Sequence, residues 1–507
     1  MSLALEFRGI TKRFPGVLAN DAIDMKVEAG HIHAVVGENG AGKTTLMSIL
    51  FGLYPADAGE ILVNGERVRF TSALEAIRAG LGMVHQAFRL FPTLSVADNV
   101  VFRDEPTRRG MIDRAAAAER VGALAERYGL AVDPRAVVET LPVGVLQRVE
   151  ILKALYRDAR ILILDEPTAV LTPQERDKLF EVIRRLRDAG RTILFITHKL
   201  GEVMAVSDRV TVLRDGRSVA DLVTAETNPT EIARYMTGRQ VDLDRRAPAH
   251  EAGGAVLTVT DLTVTGQHGR EAVKNVSLEV RAGEIVGVAG IAGNGQSELI
   301  EAVTGLRDVP EGSIHLHGND ISTSEVLTRR LAGMAYIPED RHGVGTSHLA
   351  TVSNNLLLGH QRRDGFQSKG WFDRKAVRHH ARHLIETYGI RSGPINSPVS
   401  TLSGGNLQKV VVAREMSHGA PLLIAEQPTR GVDIAAIEFI HDRLITFRDD
   451  GGAVLLVSAE LSEIRALSTR ILVMFDGRIV AELDPAEVDE AAIGYYMTGA
   501  HEEALSG

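Results

Sequence analysis

The sequence predicts an α/β fold, written twice in tandem, with parallel sheets covered by helices on both faces. Three features predict it. Short apolar runs such as HIHAVV, ILIL and TILFIT alternate with helical patterns such as RDKLFEVIRRLRDAG. Continuous apolar runs of that length suit strands buried on both faces, as in a parallel sheet. A glycine-rich segment, GENGAGKT, links one such strand to a helix. The chain also repeats itself. LEFRGITKRF near Leu5 is matched by LTVTDLTVTG near Leu257, and Gly37 and Gly290 stand 253 residues apart. Late in each copy the spacing is 261, since RYMTG (Arg234 to Gly238) matches YYMTG (Tyr495 to Gly499).

The growth of that spacing puts a small insertion in the second copy, between Glu339 and Leu402, with QRRDGFQSKGWF as the expected place. Residues 1–240 and 255–507 are expected to form the two domains. The polar stretch VDLDRRAPAHEAGG, residues 241–254, reads as a short linker.

Composition narrows the class. The chain has 507 residues, 44% hydrophobic and 24% charged, as expected of folded domains rather than disorder. A net charge of −9 disfavours a protein whose task is to coat nucleic acid. There is no cysteine, which excludes disulfides and Cys-ligated metal. The start MSLALEFRGITKRF has no apolar signal core, and no apolar run approaches the roughly 18 residues a spanning helix needs. A soluble, cytoplasmic protein is expected.

The first copy carries a complete phosphate-binding pattern. Gly37, Glu38, Asn39, Gly40, Ala41, Gly42, Lys43 and Thr44, followed by Thr45, form a P-loop between strand and helix. Glycines allow successive backbone N–H groups to face phosphates, the lysine adds charge, and the Thr44 hydroxyl can ligate Mg²⁺. ILILDEP ends a buried strand at Asp165 and Glu166, suited to Mg²⁺ binding and to orienting an attacking water. LFITHK ends another strand at His198, a candidate contact to a γ-phosphate. Gln86 in GMVHQ is a candidate for the metal and the water, and Phe14 for stacking on a nucleobase.

The order of P-loop, Gln86, signature segment, ILILDEPT and His198 resembles the ATP-binding cassette family, over nearly the whole chain and twice. The resemblance implies two tandem nucleotide-binding domains, each with a P-loop α/β core, a small antiparallel β part and a helical signature subdomain, using ATP and Mg²⁺. In that family two cassettes pack head to tail, and each ATP lies between one P-loop and the other cassette's LSGGQ-like signature. The second copy has a good signature in TLSGGNLQKV, with Ser403, Gly404 and Gly405. The first departs from the pattern: TLPVGVLQRV has Pro142, which lacks hydroxyl and N–H, and Val143 in place of a glycine.

Paired as the family pairs them, one composite site has every part: Lys43, Thr44, Gln86, Asp165, Glu166 and His198 with Ser403, Gly404 and Gly405. The other collects the losses. Gln296 replaces the lysine, Glu426 and Gln427 replace Asp165 and Glu166, and Ala459 replaces His198. Glu339 and Gln267 take the places of Gln86 and Phe14. The expectation is one hydrolytic site and one non-hydrolytic site that still holds nucleotide through loop amides and Ser297.

The resemblance further implies a motor on the cytoplasmic face of the membrane. Its partners would be two integral-membrane permease subunits and, indirectly, an extracytoplasmic substrate-binding protein, with one copy of this chain per transporter and no nucleic acid. FPTLSVADNVVF and HLATVSNNLLLG lie where the family receives permease coupling helices; as bare sequence they fit a core role equally. YIPEDRHG, LSGGNLQK and QPTRGVD resemble the simple-sugar and nucleoside importers, and GNGQSELIEAVTGL looks more like the nucleoside branch. The rival is a soluble twin-cassette protein of ribosomes or DNA. The short linker, the depleted site and the lack of cysteine count against it. His379 and His383, spaced i, i+4 in RKAVRHHARHL, read as a solvated helix face rather than a metal pair.

Overall fold

The computed structural model describes residues 2–85, 88–168, 171, 173–240, 247, 250–266, 269–291, 293–361, 365–368 and 371–499. The chain forms two compact units, Met1–Leu243 and Asp244–Gly507.

In the first unit, six strands form one sheet in the order Arg217–Val223, Arg209–Arg214, Ile32–Val36, Thr192–Ile196, Ile161–Asp165, Leu81–Val84. All neighbours pair in parallel except the edge hairpin of Arg209–Arg214 with Arg217–Val223. The three central strands are buried at every position, as continuous apolar runs require. Register sets where the strand-end loops meet. Ile196 lies beside Asp165 and beside Val35, so three strands end together and their loops emerge at one edge. Open parallel sheets place ligands at such carboxyl ends.

A second, antiparallel sheet runs Val17–Glu28, Leu3–Phe14, Ala58–Val63, Glu66–Val68. Its apolar residues join the P-loop helix Lys43–Leu50 in one core cluster. A separate helical part contains Val96–Val101, Arg114–Tyr128 and Val143–Tyr156, which bury Val96, Val100, Val121 and Val149 against one another. Asp113 caps the middle helix by accepting from the Ala116 N–H, and Gly129 ends it in the left-handed region at φ 68°.

The second unit repeats each part. Its six-stranded sheet runs Met334–Ile337, Leu422–Glu426, Ala453–Val457, Ile285–Ala289, Arg470–Phe475, Arg478–Leu483. Its antiparallel sheet and its helices Val352–Leu357, Arg374–Thr387 and Gly404–Met416 match those of the first. The insertion is spread rather than confined to QRRDGFQSKGWF. Equivalent residues stand 253 apart at Leu81 and Met334, 256 at Val96 and Val352, 260 at Asp113 and Asp373, and 261 at Val138 and Val399. The first addition therefore falls in the loop after Ile337. His379 and His383 are exposed on the helix Arg374–Thr387, as a solvated face requires.

Candidate functional site

The strand Ile32–Val36 runs into the glycine loop, and the helix begins at Lys43 with Gly42 as its cap at φ 95°. A side chain on Gly42 would also run into the Ala19 carbonyl and the Asn20 amide, and Asn20 Nδ2 donates to Gly42 O at 3.1 Å. Only glycine fits this position. Lys43 is 6% exposed, and its Nζ donates to Gly37 O at 2.6 Å and Glu38 O at 3.1 Å. Burial pushes its pKa down, against the pull of Glu166 and Asp165. Thr44 is exposed and Thr45 half-buried on the first helical turn. Glu38, Asn39, Gly40 and Ala41 complete the loop, with Gly40 at φ 86°.

Asp165 ends its strand 7% exposed. Burial, reinforced by the Glu166 carboxylate and opposed by Lys43, pushes its pKa up to about 6. Glu166 sits at φ 46°, a strained backbone for a residue with a side chain, and its N–H donates to Ile196 O at 2.9 Å. That bond turns its side chain toward the next strand's end, where Oε1 lies 2.9 Å from His198 Nδ1. Burial pushes the Glu166 pKa up, but the His198 bond and nearby cations outweigh it, and the net direction is down. Lys43, Asp165, Glu166 and His198 thus belong to one charged cluster. A buried cation and two acids at a helix N-terminus suit a phosphate ester carrying a divalent cation.

Phe14 ends the first strand half-buried, with its ring edge-on to the exposed Tyr54 at 5.5 Å and Lys12 Nζ 5.6 Å from its centroid. Gln86 lies outside the described residues. Sequence reasoning missed Asn20, which holds Gly42, and Glu202, whose buried carboxylate accepts from Thr168 and Thr197. The available signal for Glu202 was an acid four residues after His198.

The second unit keeps the backbone and changes the chemistry. Gly293 and Gly295 hold φ 91° and 98°, and the helix Gln296–Thr304 follows. Gln296 is 7% exposed and its Nε2 donates to Ile291 O at 3.2 Å, the carbonyl equivalent to Glu38 O. Gln427 sits at φ 46°, as Glu166 does, and donates its N–H to Val457 O. Its Oε1 accepts from the Ala459 N–H at 3.1 Å, where the first unit has the His198 ring. Glu426 accepts from Tyr336 Oη at 2.6 Å. Burial pushes its pKa up, with the Tyr336 and Ser297 hydrogen bonds holding it back. Glu339 pairs with Arg430. A cavity of about 500 Å³ lies here, lined by Ser297, Glu301, Tyr336, Glu339 and Glu426 among others.

The signature segments differ as their sequences require. Ser403 caps the helix Gly404–Met416, its Oγ accepting from Asn406 Nδ2 at 2.9 Å, and Gly405 is buried. In the first unit Pro142 occupies the cap of Val143–Tyr156 with no side-chain hydrogen bond.

The family model described as ABC transporter matches residues 20–169 and 273–430. The chain belongs to the ABC transporter family. It is a nucleotide-binding ATPase with two cassettes. It is 46% identical to the guanosine import ATP-binding protein NupO of Bacillus subtilis, with 98% of each chain covered. It is 45% identical to the glucose import ATP-binding protein TsgD13 of Haloferax volcanii, over 98% of this chain and 96% of that one. It is 44% identical to the nucleoside import ATP-binding protein NupA of Lactococcus lactis subsp. cremoris, over 97% of each. Among the described residues no helix is long and apolar enough to cross a membrane.

Proposed function

We propose that this ATPase drives the uptake of nucleosides through a membrane importer. It would sit on the cytoplasmic face against two permease subunits, supplied by an extracytoplasmic binding protein. Both the guanosine and the nucleoside import relatives support this substrate class. The glucose import relative supports a second reading, uptake of a simple sugar.

Hydrolysis belongs to one composite site. Loop amides from Gly37 to Thr45 and the Lys43 ammonium bind the triphosphate, and Phe14 stacks on the base. Glu166 orients and deprotonates the attacking water, with His198 bonded to it, and the sequence pattern assigns Gln86 to the water and the metal. In the pairing that the family resemblance implies, Ser403, Gly404 and Gly405 of the second cassette supply the signature, a helix N-terminus. Thr44, Asp165 and Gln86 suit Mg²⁺. An acid whose pKa burial lifts to about 6 would be held ionised by a dication, and Thr44 is exposed on the first turn of the P-loop helix. Bound there, Mg²⁺ would neutralise phosphate charge.

One observation carries the reading. The two units share loop and turn backbone, yet Lys43, Glu166 and His198 are matched by Gln296, Gln427 and Ala459. Charge is lost on one side only. The test is uptake of labelled nucleosides and labelled simple sugars with the chain intact or carrying Lys43→Ala. Loss of nucleoside uptake alone is expected. Loss of sugar uptake alone moves the substrate, and no loss of either overturns the importer assignment.

A further inference from the structure

Behind the catalytic turn sits a carboxylate that takes no part in the proposed hydrolytic chemistry. Glu202, on the short helix Leu200–Val206, is 4% exposed. Its Oε1 accepts from Thr168 Oγ1 at 2.6 Å and its Oε2 from Thr197 Oγ1 at 2.8 Å. Both threonines are buried. Thr168 lies two residues after Glu166, and Thr197 immediately precedes His198. Thr197 Oγ1 also accepts from the Lys199 N–H at 3.0 Å, so the backbone on both sides of His198 is fixed to it. One side chain therefore ties the two loops whose other ends meet in the 2.9 Å bond between Glu166 and His198. Charge-assisted O–H···O⁻ bonds are short and strong, and burial makes them stronger.

The second unit supplies an internal comparison. Glu463 stands 261 residues on, also 4% exposed, with buried Thr429 and Ser458 in the matching places. There the tie is not made. Glu463 Oε1 turns to His441 Nε2 at 3.0 Å, Glu463 Oε2 has no hydrogen-bond partner among the described residues, and Ser458 Oγ accepts from the Glu460 N–H. The acid and the pocket persist, but the clamp is closed only in the unit that has a glutamate and a histidine to align.

We infer that Glu202 is a positioning residue for ATP hydrolysis, holding the Glu166 turn and the His198 loop in register through Thr168 and Thr197. This rests on the assignment of Glu166 and His198 to the hydrolytic site. An amide at 202 could still bridge the two threonines by donating to one hydroxyl and accepting from the other, whereas alanine removes both bonds, so the loops are released while the phosphate loop, held by Lys43 and Asn20, does not change. Displacements of about 1 Å at a reacting centre cost on the order of 100-fold in rate.

The experiment is steady-state ATP hydrolysis by the full chain with its permeases, with melting temperatures recorded alongside. Glu202→Ala and Thr197→Val should lower kcat by roughly 10- to 100-fold with KM for ATP changed by less than about twofold. Thr197→Ser, which keeps the hydroxyl, should recover most of kcat. Glu463→Gln should leave both constants unchanged. Wild-type kcat in Glu202→Ala, with Glu166→Gln inactive, overturns the clamp and leaves the site assignment standing. Loss in Thr197→Ser as deep as in Thr197→Val, with matching falls in melting temperature, overturns it in favour of a packing role. Turnover retained by Glu166→Gln overturns the site assignment itself, and the clamp with it.

Discussion

Asp165 holds a charge that its surroundings oppose. Burial first, and then the neighbouring Glu166 carboxylate, move its pKa from 3.8 to about 6, with Lys43 pulling the other way. A displacement of that size corresponds to about 3 kcal/mol. The folded chain binds this proton more tightly than the unfolded chain, so the contribution to stability falls as pH rises from about 4 to about 6 and stays at its full cost above. Asp165→Asn removes the cost. Some of the gain is returned, because the buried Lys43 ammonium loses one of its acidic neighbours. A net gain of about 1–2 kcal/mol at pH 7.5 follows, or roughly 2–8 °C in the melting temperature of the first unit. At pH 5 the wild type carries only about half of the full cost, so the advantage of the variant should shrink there. Scanning calorimetry of nucleotide-free protein at pH 5.0 and 7.5 measures both numbers. A variant that melts lower than wild type at pH 7.5, or whose advantage is equal at the two pH values, would refute the electrostatic reasoning. The same variant should lose ATP turnover, so the site is more stable without its function.

Phosphate release separates the two units: Glu166→Gln should abolish turnover, whereas Gln427→Ala should keep most of it, and equal losses would contradict a single hydrolytic site. The proposed pairing of signatures makes Ser403→Ala costly, about tenfold in turnover, and Pro142→Ser close to neutral, because that pairing assigns only Ser403 to hydrolysis. The reverse order of effects would mean that the pairing is wrong. Gly42→Ala combines a left-handed φ of 95° with a side chain driven against Ala19 and Asn20. It should destabilise the first unit by about 1–3 kcal/mol and weaken ATP binding, read by thermal melting and by titration with a fluorescent ATP analogue.

Much of this was legible in the sequence, for a physical reason. Strands buried on both faces announce themselves as apolar runs, and the loops that follow them must emerge at the sheet's edge. Lys43, Asp165, Glu166 and His198 each follow such a run, so their convergence at one edge could be expected from the sequence. Glu202 was not legible, because an acid on a short helix looks like a solvated side chain until its burial is known. The insertion falls in the expected part of the second copy but at more than one place, with only half of it in the segment that holds QRRDGFQSKGWF. Spacing between repeats reports only a total, while the separate additions after Ile337 and beyond the helix Val352–Leu357 appear only once equivalent caps are matched. Phe14 remained ambiguous for the opposite reason, since its ring packs against Tyr54 and is neither core nor fully free.

The glycines of the second copy persist without its lysine because they serve shape as well as phosphate. Gln296 reaches Ile291 O as Lys43 reaches Glu38 O, so a neutral amide takes over one brace of the loop. Gln427 keeps the φ of 46° and the N–H bond to the next strand that Glu166 has, and Ala459 closes the turn through its backbone. Charge has gone and geometry has stayed. The helix Gly404–Met416 packs against the same core as these strands, so distortion of the loops would pass to the cap at Ser403. Under the proposed division of labour, the second unit needs a well-formed sheet and sheet-end loops to shape its signature helix, but it does not need a lysine to grip phosphate or a carboxylate to activate water. Substitutions that alter charge in the second unit should therefore leave ATP turnover standing, and those that alter backbone should lower it.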